Sequence, residues 1–134
     1  MKKMSLTKNI RPENTTREIP VITHIITGLE KGGAERFLYN LLTSNFNGQI
    51  KNNVISLMSE GYYGPLLKEK NISLQCLNMK RGQINFNSLK KLINILKNQK
   101  PDILQGWMYH GNLAALFATF ILKKKTKLLW NIRL

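Results

Sequence analysis

The chain has 134 residues, with 21 Lys plus Arg against 7 Asp plus Glu and a formal charge of +14. That length holds one domain at most, and 43% hydrophobic residues exclude wholesale disorder, which needs low hydrophobicity beside high charge. A single cysteine, Cys76, excludes a disulfide framework and a structural zinc site, as expected of a cytoplasmic protein.

Residues 1–18 mix Lys, Arg, Asn, Thr and Glu without apolar periodicity and read as a loose basic arm ahead of a folded unit over 19–134. The arm never reaches the apolar run of a secretory signal. Val21 to Thr27 is β-branched and largely apolar, which suits an interior parallel strand covered on both faces. After Gly28, Gly32 and Gly33, the residues Ala34, Phe37, Leu38, Leu41 and Leu42 have the spacing of an amphipathic helix that ends near Asn47-Gly48. A second strand follows at Asn53 to Met58. A Gly-rich turn, Gly61 to Pro65, then leads into a short helix through Leu66, Leu67 and Lys70.

Ile72 to Leu77 reads as a third strand and Arg81-Gly82 as a loop. Leu89, Leu92, Ile93 and Leu96 mark a second clear amphipathic helix, closed by Lys97, Lys100 and Pro101. Ile103-Leu104 makes a short fourth strand, Gly106 to Asn112 a loop, 113–122 an apolar helix and Thr126 to Ile132 a fifth strand. The helix is about half the ~20 residues that span a bilayer. Strict alternation of strand and helix predicts an α/β domain built on a Rossmann-like parallel sheet with flanking helices. A sheet whose last element is an uncovered strand has the look of a domain cut short.

Excess positive charge favours a polyanion: nucleic acid, an anionic membrane surface or a phosphorylated small molecule. The segment Gly28 to Glu35 joins the first strand to the first helix, where glycines allow close backbone approach and a helix N-terminus offers N–H groups to phosphate. Its spacing matches neither the dinucleotide fingerprint nor a Walker loop, and a tight turn explains the Gly-Gly pair equally well.

Ile25-Ile26-Thr27-Gly28-Leu29 followed by Gly32-Gly33-Ala34-Glu35-Arg36 resembles the start of the family 4 glycosyltransferases, the retaining group with the GT-B fold. Later segments agree in order. They are Gly64-Pro65-Leu66 with Asn71-Ile72, then Pro101-Asp102-Ile103-Leu104, then Trp107 to Leu113, and last Trp130-Asn131-Ile132-Arg133. The resemblance runs from about Pro20 to the end and implies an incomplete N-terminal, acceptor-side GT-B domain. It implies transfer of a sugar from a nucleotide-sugar to a carbohydrate or lipid-linked acceptor in surface polysaccharide or glycolipid synthesis, without a metal or other cofactor. The C-terminal half that holds most of the donor is not in the sequence and would come from a separately encoded partner or from a longer chain of which this is a piece, so the chain alone is expected to be inactive.

Carried over by position, the resemblance puts Gly32 and Gly33 at the donor diphosphate and His110 near the reacting phosphate as the catalytic candidate. Glu35, Trp107, Tyr109, Asn112 and Arg133 become cleft or acceptor contacts. Each has a plainer alternative: Glu35 as a helix-terminus charge, Trp107 and Tyr109 as aromatics folded onto the sheet, His110 as a loop histidine bonded to backbone. His24 reads as a core histidine and Cys76 as an ordinary sheet residue. Lys123-Lys124-Lys125 suits the end of an apolar helix, and the competing reading is peripheral contact with the inner face of an anionic membrane. Two other functions stand against the enzyme. One is a non-catalytic truncated remnant. The other, a nucleic-acid-binding protein, is disfavoured because no zinc-finger, RNP or helix-turn-helix pattern is present.

Overall fold

A computed structural model describes residues 19–44, 48–81, 83, 85–122 and 126–131. The basic arm, Asn47, Gly82, the lysines at 123–125 and Arg133 lie outside the described residues. Five strands alternate with four helices: β1 (Val21–Ile26), α1 (Gly33–Leu42), β2 (Lys51–Ser56), α2 (Tyr63–Glu69), β3 (Ser73–Cys76), α3 (Phe86–Gln99), β4 (Ile103–Trp107), α4 (Met108–Leu122) and β5 (Lys127–Asn131). All pair in parallel in the order β3-β2-β1-β4-β5. The domain is therefore an α/β fold of Rossmann-like type.

The sheet forms because its middle strands are apolar on both faces, with helices covering each face. Alternation in β1 sends Ile25 to one side and Ile26 to the other. Ile25 joins Ile55 and Leu104 beneath Leu92 and Leu96 of α3 and Ala114, Ala115 and Ala118 of α4. Ile26 joins Val54 and Trp107 beneath Leu38 and Leu42 of α1 and Leu67 of α2. The chain winds outward from β1 to β3, then crosses back through α3 to β4 on the other side of β1. That reversal makes the β1/β4 boundary the topological switch point, where the loop after β1 and the start of α4 after β4 lead to opposite faces of the sheet and bound a crevice.

Polar groups inside the sheet are paired. Thr23 Oγ1–H donates to Gln99 Oε1 at 2.8 Å and so ties β1 to α3. Asp102 accepts the Val21 N–H at 2.8 Å and joins the starts of β4 and β1. Helix α3 starts at Asn85, whose side chain accepts the Asn87 N–H at 2.8 Å as an N-cap.

Two details differ from the expectations, and Cys76 does not. In α1 the buried residues are Glu35, Leu38 and Leu42, while Phe37 and Leu41 are largely exposed, because the helix presents a narrower face to the sheet than its apolar pattern allows. The fourth strand runs on through Gly106 and Trp107. The expected loop at 106–112 does not exist, since Met108 opens α4 directly. Cys76 is a half-buried residue of the edge strand β3, and burial pushes its thiol pKa up.

Candidate functional site at the switch point

The crevice is built from the ends of β1 and β4. From β1 the chain passes through Thr27 and Gly28 to Gly32, which is extended at φ −168° and carries the first helical acceptor, receiving the Arg36 N–H at 3.0 Å. A Cβ built on Gly32 would collide with the Glu35 carboxylate, whereas one on Gly33 would meet nothing within 4 Å. The Glu35 side chain thus lies folded over Gly32, where a bulkier residue would make it swing aside, and Gly33 leaves open space at the helix start. Glu35 is 8% exposed in the first turn of α1, where a carboxylate offsets the positive end of the helix. Its position is that of a terminus charge lying over the glycine loop.

The glycine loop is held from the side. Gly61, at φ +59°, approaches so near that a Cβ there would lie 2.5 Å from the Leu29 carbonyl carbon, and the Tyr63 N–H donates to Leu29 O at 2.9 Å. Next to this contact Lys31 Nζ sits 4.7 Å from the centre of the Tyr62 ring.

Across the crevice, β4 turns into α4 at Met108, whose φ of +66° is a costly conformation for a side chain with a Cβ. That reversal lets α4 run back across the sheet at once and places Tyr109, His110 and Gly111 in its first turn. Tyr109 is 73% exposed and His110 is exposed beside it, ring edge to ring face at 5.6 Å. Gly111 is buried, and a Cβ there would lie 2.5 Å from Ile25 O. Its N–H donates to Thr27 Oγ1 at 3.2 Å, a direct bond between the two walls of the crevice. Asn112 packs on Gly106, and its Oδ1 is buried with no hydrogen-bond partner.

Under the crevice lies a buried polar relay. Trp107 Nε1–H donates to His24 Nδ1 at 3.1 Å, and His24 Nε2 lies 3.0 Å from Asn52 Oδ1. An indole N–H only donates, so Nδ1 is the acceptor, the ring proton sits on Nε2, and His24 is neutral. Burial lowers its pKa from 6.5 to about 4, partly opposed by the bond to Asn52.

The structure brings Gly32, Gly33 and Glu35 to one wall of the crevice and Tyr109, His110 and Asn112 to the other. Trp107 is a correction. It is 0% exposed, it belongs to β4 rather than a loop, and its indole is spent on His24, so it supports the crevice from below and offers no acceptor contact. Arg133 lies outside the described residues. Thr27, Gly61 and Gly111 were not anticipated as parts of the site; a glycine four residues beyond β4 was the one available signal.

Chemically, the arrangement offers two helix N-termini that bring partial positive charge and backbone N–H groups to a single cleft, with an exposed imidazole at its lip. No group of three or more His, Cys, Asp or Glu suited to a metal ion occurs among the described residues. No protein-family model and no curated protein sequence matches the chain.

Proposed function

We propose that the switch-point crevice receives the diphosphate of a nucleotide-sugar, and that the chain acts as the acceptor-side half of a retaining glycosyltransferase. The observation that carries this reading is the Gly111 N–H to Thr27 Oγ1 bond. It holds the glycine loop and the turn bearing His110 side by side where an open α/β sheet receives its ligand. The ordered resemblance to family 4 glycosyltransferases adds the substrate class and a C-terminal donor-binding partner half.

In this reading the N–H groups at the open start of α1, beside Gly33, meet the phosphate oxygens that gain charge as the sugar leaves. Glu35 cannot join them there as a direct ligand without like-charge repulsion, so its charge serves the helix terminus. His110 reaches the transferred sugar or its phosphate from the opposite wall, and Tyr109 beside it offers an exposed ring to the acceptor.

Line broadening of the 31P signals of UDP and GDP by the chain tests the reading. Gly33→Asp is the informative variant. An aspartate at a helix start is well tolerated and has open space, yet it sets a negative charge where the phosphate should lie. Broadening that Gly33→Asp and His110→Ala both abolish supports the proposal. Unchanged broadening in both variants, or none in the parent chain at millimolar nucleotide, refutes it.

A further inference from the structure

The sheet has two outer strands, and they are made differently. In β3 the polar Ser73 and Gln75 are exposed while Leu74 and Cys76 are half-buried, the alternation of a strand that keeps one side wet. In β5 the run Leu128-Leu129-Trp130 is apolar on both faces, as in a strand with a neighbour on each side. Leu128 packs into the core under α4, so Trp130 shares that face and Leu129 turns to the other, with 51% and 47% of their surfaces exposed. Helix α4 packs on β5, and its adjoining outer side adds Leu113 and Phe120, exposed by 49% and 74%.

The backbone of β5 is unpaired on its outer side in a definite pattern. The Lys127 N–H donates to Asp102 O at 3.0 Å, towards β4. Alternation along the strand then turns the N–H and C=O groups of Leu128 and Trp130 outward, where no described strand meets them. Charge gathers elsewhere. Because every strand is parallel, the strand starts lie together, and Lys51, Lys70, Lys100 and Lys127 form an exposed basic edge there. Of these only Lys127 belongs to β5, at its first position.

We propose that β5 pairs antiparallel with β5 of a second copy of the chain, about a two-fold axis at Leu129. This register sets Leu128 of one copy opposite Trp130 of the other, so the outward N–H and C=O groups exchange hydrogen bonds on each side of the axis. Lys127 falls opposite Asn131, so no like charges face each other across the strands, and Leu129 meets Leu129. The axis runs perpendicular to the sheet, which puts both α4 helices on one face with the Trp130 side chains between them. At roughly 200 Å² for a free side chain, Leu113, Phe120, Leu129 and Trp130 expose about 450 Å², over half of the ~800 Å² that each partner gives to a stable interface. The complementarity is that of the strand with itself, which selects a second copy over an unrelated strand. A charge of +14 on each copy opposes the pairing, so salt should strengthen it. The surface stands apart from the nucleotide crevice and does not depend on it.

Sedimentation equilibrium of the full chain at low and high salt tests the proposal. A dimer is expected, tighter at high salt. Leu129→Lys sets two ammonium groups opposite each other on the axis and should weaken the dimer by about tenfold or more. Only position 129 lies opposite its own copy, in a non-hydrogen-bonded pair with Cα atoms about 4.5 Å apart, within disulfide reach. In a Cys76→Ser background, Leu129→Cys should therefore cross-link into a dimer on oxidation with copper phenanthroline, and Lys127→Cys should not. Should Leu129→Lys fail to fold, the two cysteine variants decide. The proposal is overturned by a monomer at every salt and protein concentration, by a dimer that Leu129→Lys leaves intact, or by equal cross-linking at 127 and 129. Association that salt dissolves overturns it as well, since that is the behaviour of a bridging polyanion.

Discussion

The two ends of the parallel sheet are made of opposite materials. At the strand ends, glycines let backbone approach backbone: Gly61 against Leu29, Gly111 against Ile25 O. Met108 is strained there, and a His24–Trp107 relay lies buried beneath. At the strand starts, long charged side chains project outward and an apolar helix face is left uncovered. The first end is specified by what cannot fit, the second by what can be reached. One end should therefore lose stability when altered, and the other should lose only partners.

Lowering the pH makes the largest difference. His24 is neutral in the fold with a pKa of about 4 against 6.5 when unfolded, so between those values the unfolded chain binds the extra proton. Stability is full above about pH 6.5, falls by roughly 3 kcal/mol towards pH 4, and is flat in this respect below that. Urea titrations across the window should show the decline, and His24→Gln should flatten it. A wild-type curve with no slope between pH 6.5 and 4 would remove the relay from the account.

Gly111→Ala comes next. The new methyl group has to displace α4 from Ile25 O, at about 2 kcal/mol, and should also part Thr27 from the Gly111 N–H. A midpoint shift of less than ~0.5 kcal/mol would mean the two walls are not in the contact described. Trp107→Phe follows at about 1.5 kcal/mol, since it leaves the His24 Nδ1 acceptor buried without a donor. Thermal or chemical unfolding reads it, with Trp130 left as the fluorescent reporter. Smallest is the double variant Lys100→Gln, Lys127→Gln, expected within ~0.5 kcal/mol of the parent. If this edge proved as sensitive as the crevice, the contrast between the two ends would fail.

The alternation of strands and helices was legible because β1 is a β-branched apolar run, short aliphatic stretches mark β2, β4 and β5, and α1 and α3 carry clear apolar periodicity. Gly32, Gly33 and His110 could be picked out because they follow β1 and β4, where parallel sheets put their ligands. The start of α4 could not. Gly106, Gly111 and Asn112 look like loop residues, and only the packed structure reveals the two glycines as points of contact between helix and sheet. Trp107 misled for the same reason, since a tryptophan beside glycines reads as a loop aromatic until the strand is seen to extend through it. The basic edge was hidden by distance along the chain: Lys51, Lys70, Lys100 and Lys127 are no cluster until four parallel strands start together.

The most direct test of the crevice is an amide-resolved NMR titration of the chain with UDP and GDP. The account predicts that the N–H signals of Gly33, Ala34, Tyr109 and His110 move together with one affinity, while those of Lys51, Lys100 and Lys127 stay still. Shifts confined to the lysine edge, or spread evenly over the surface, would contradict it, because the nucleotide would then be following charge and not the switch point.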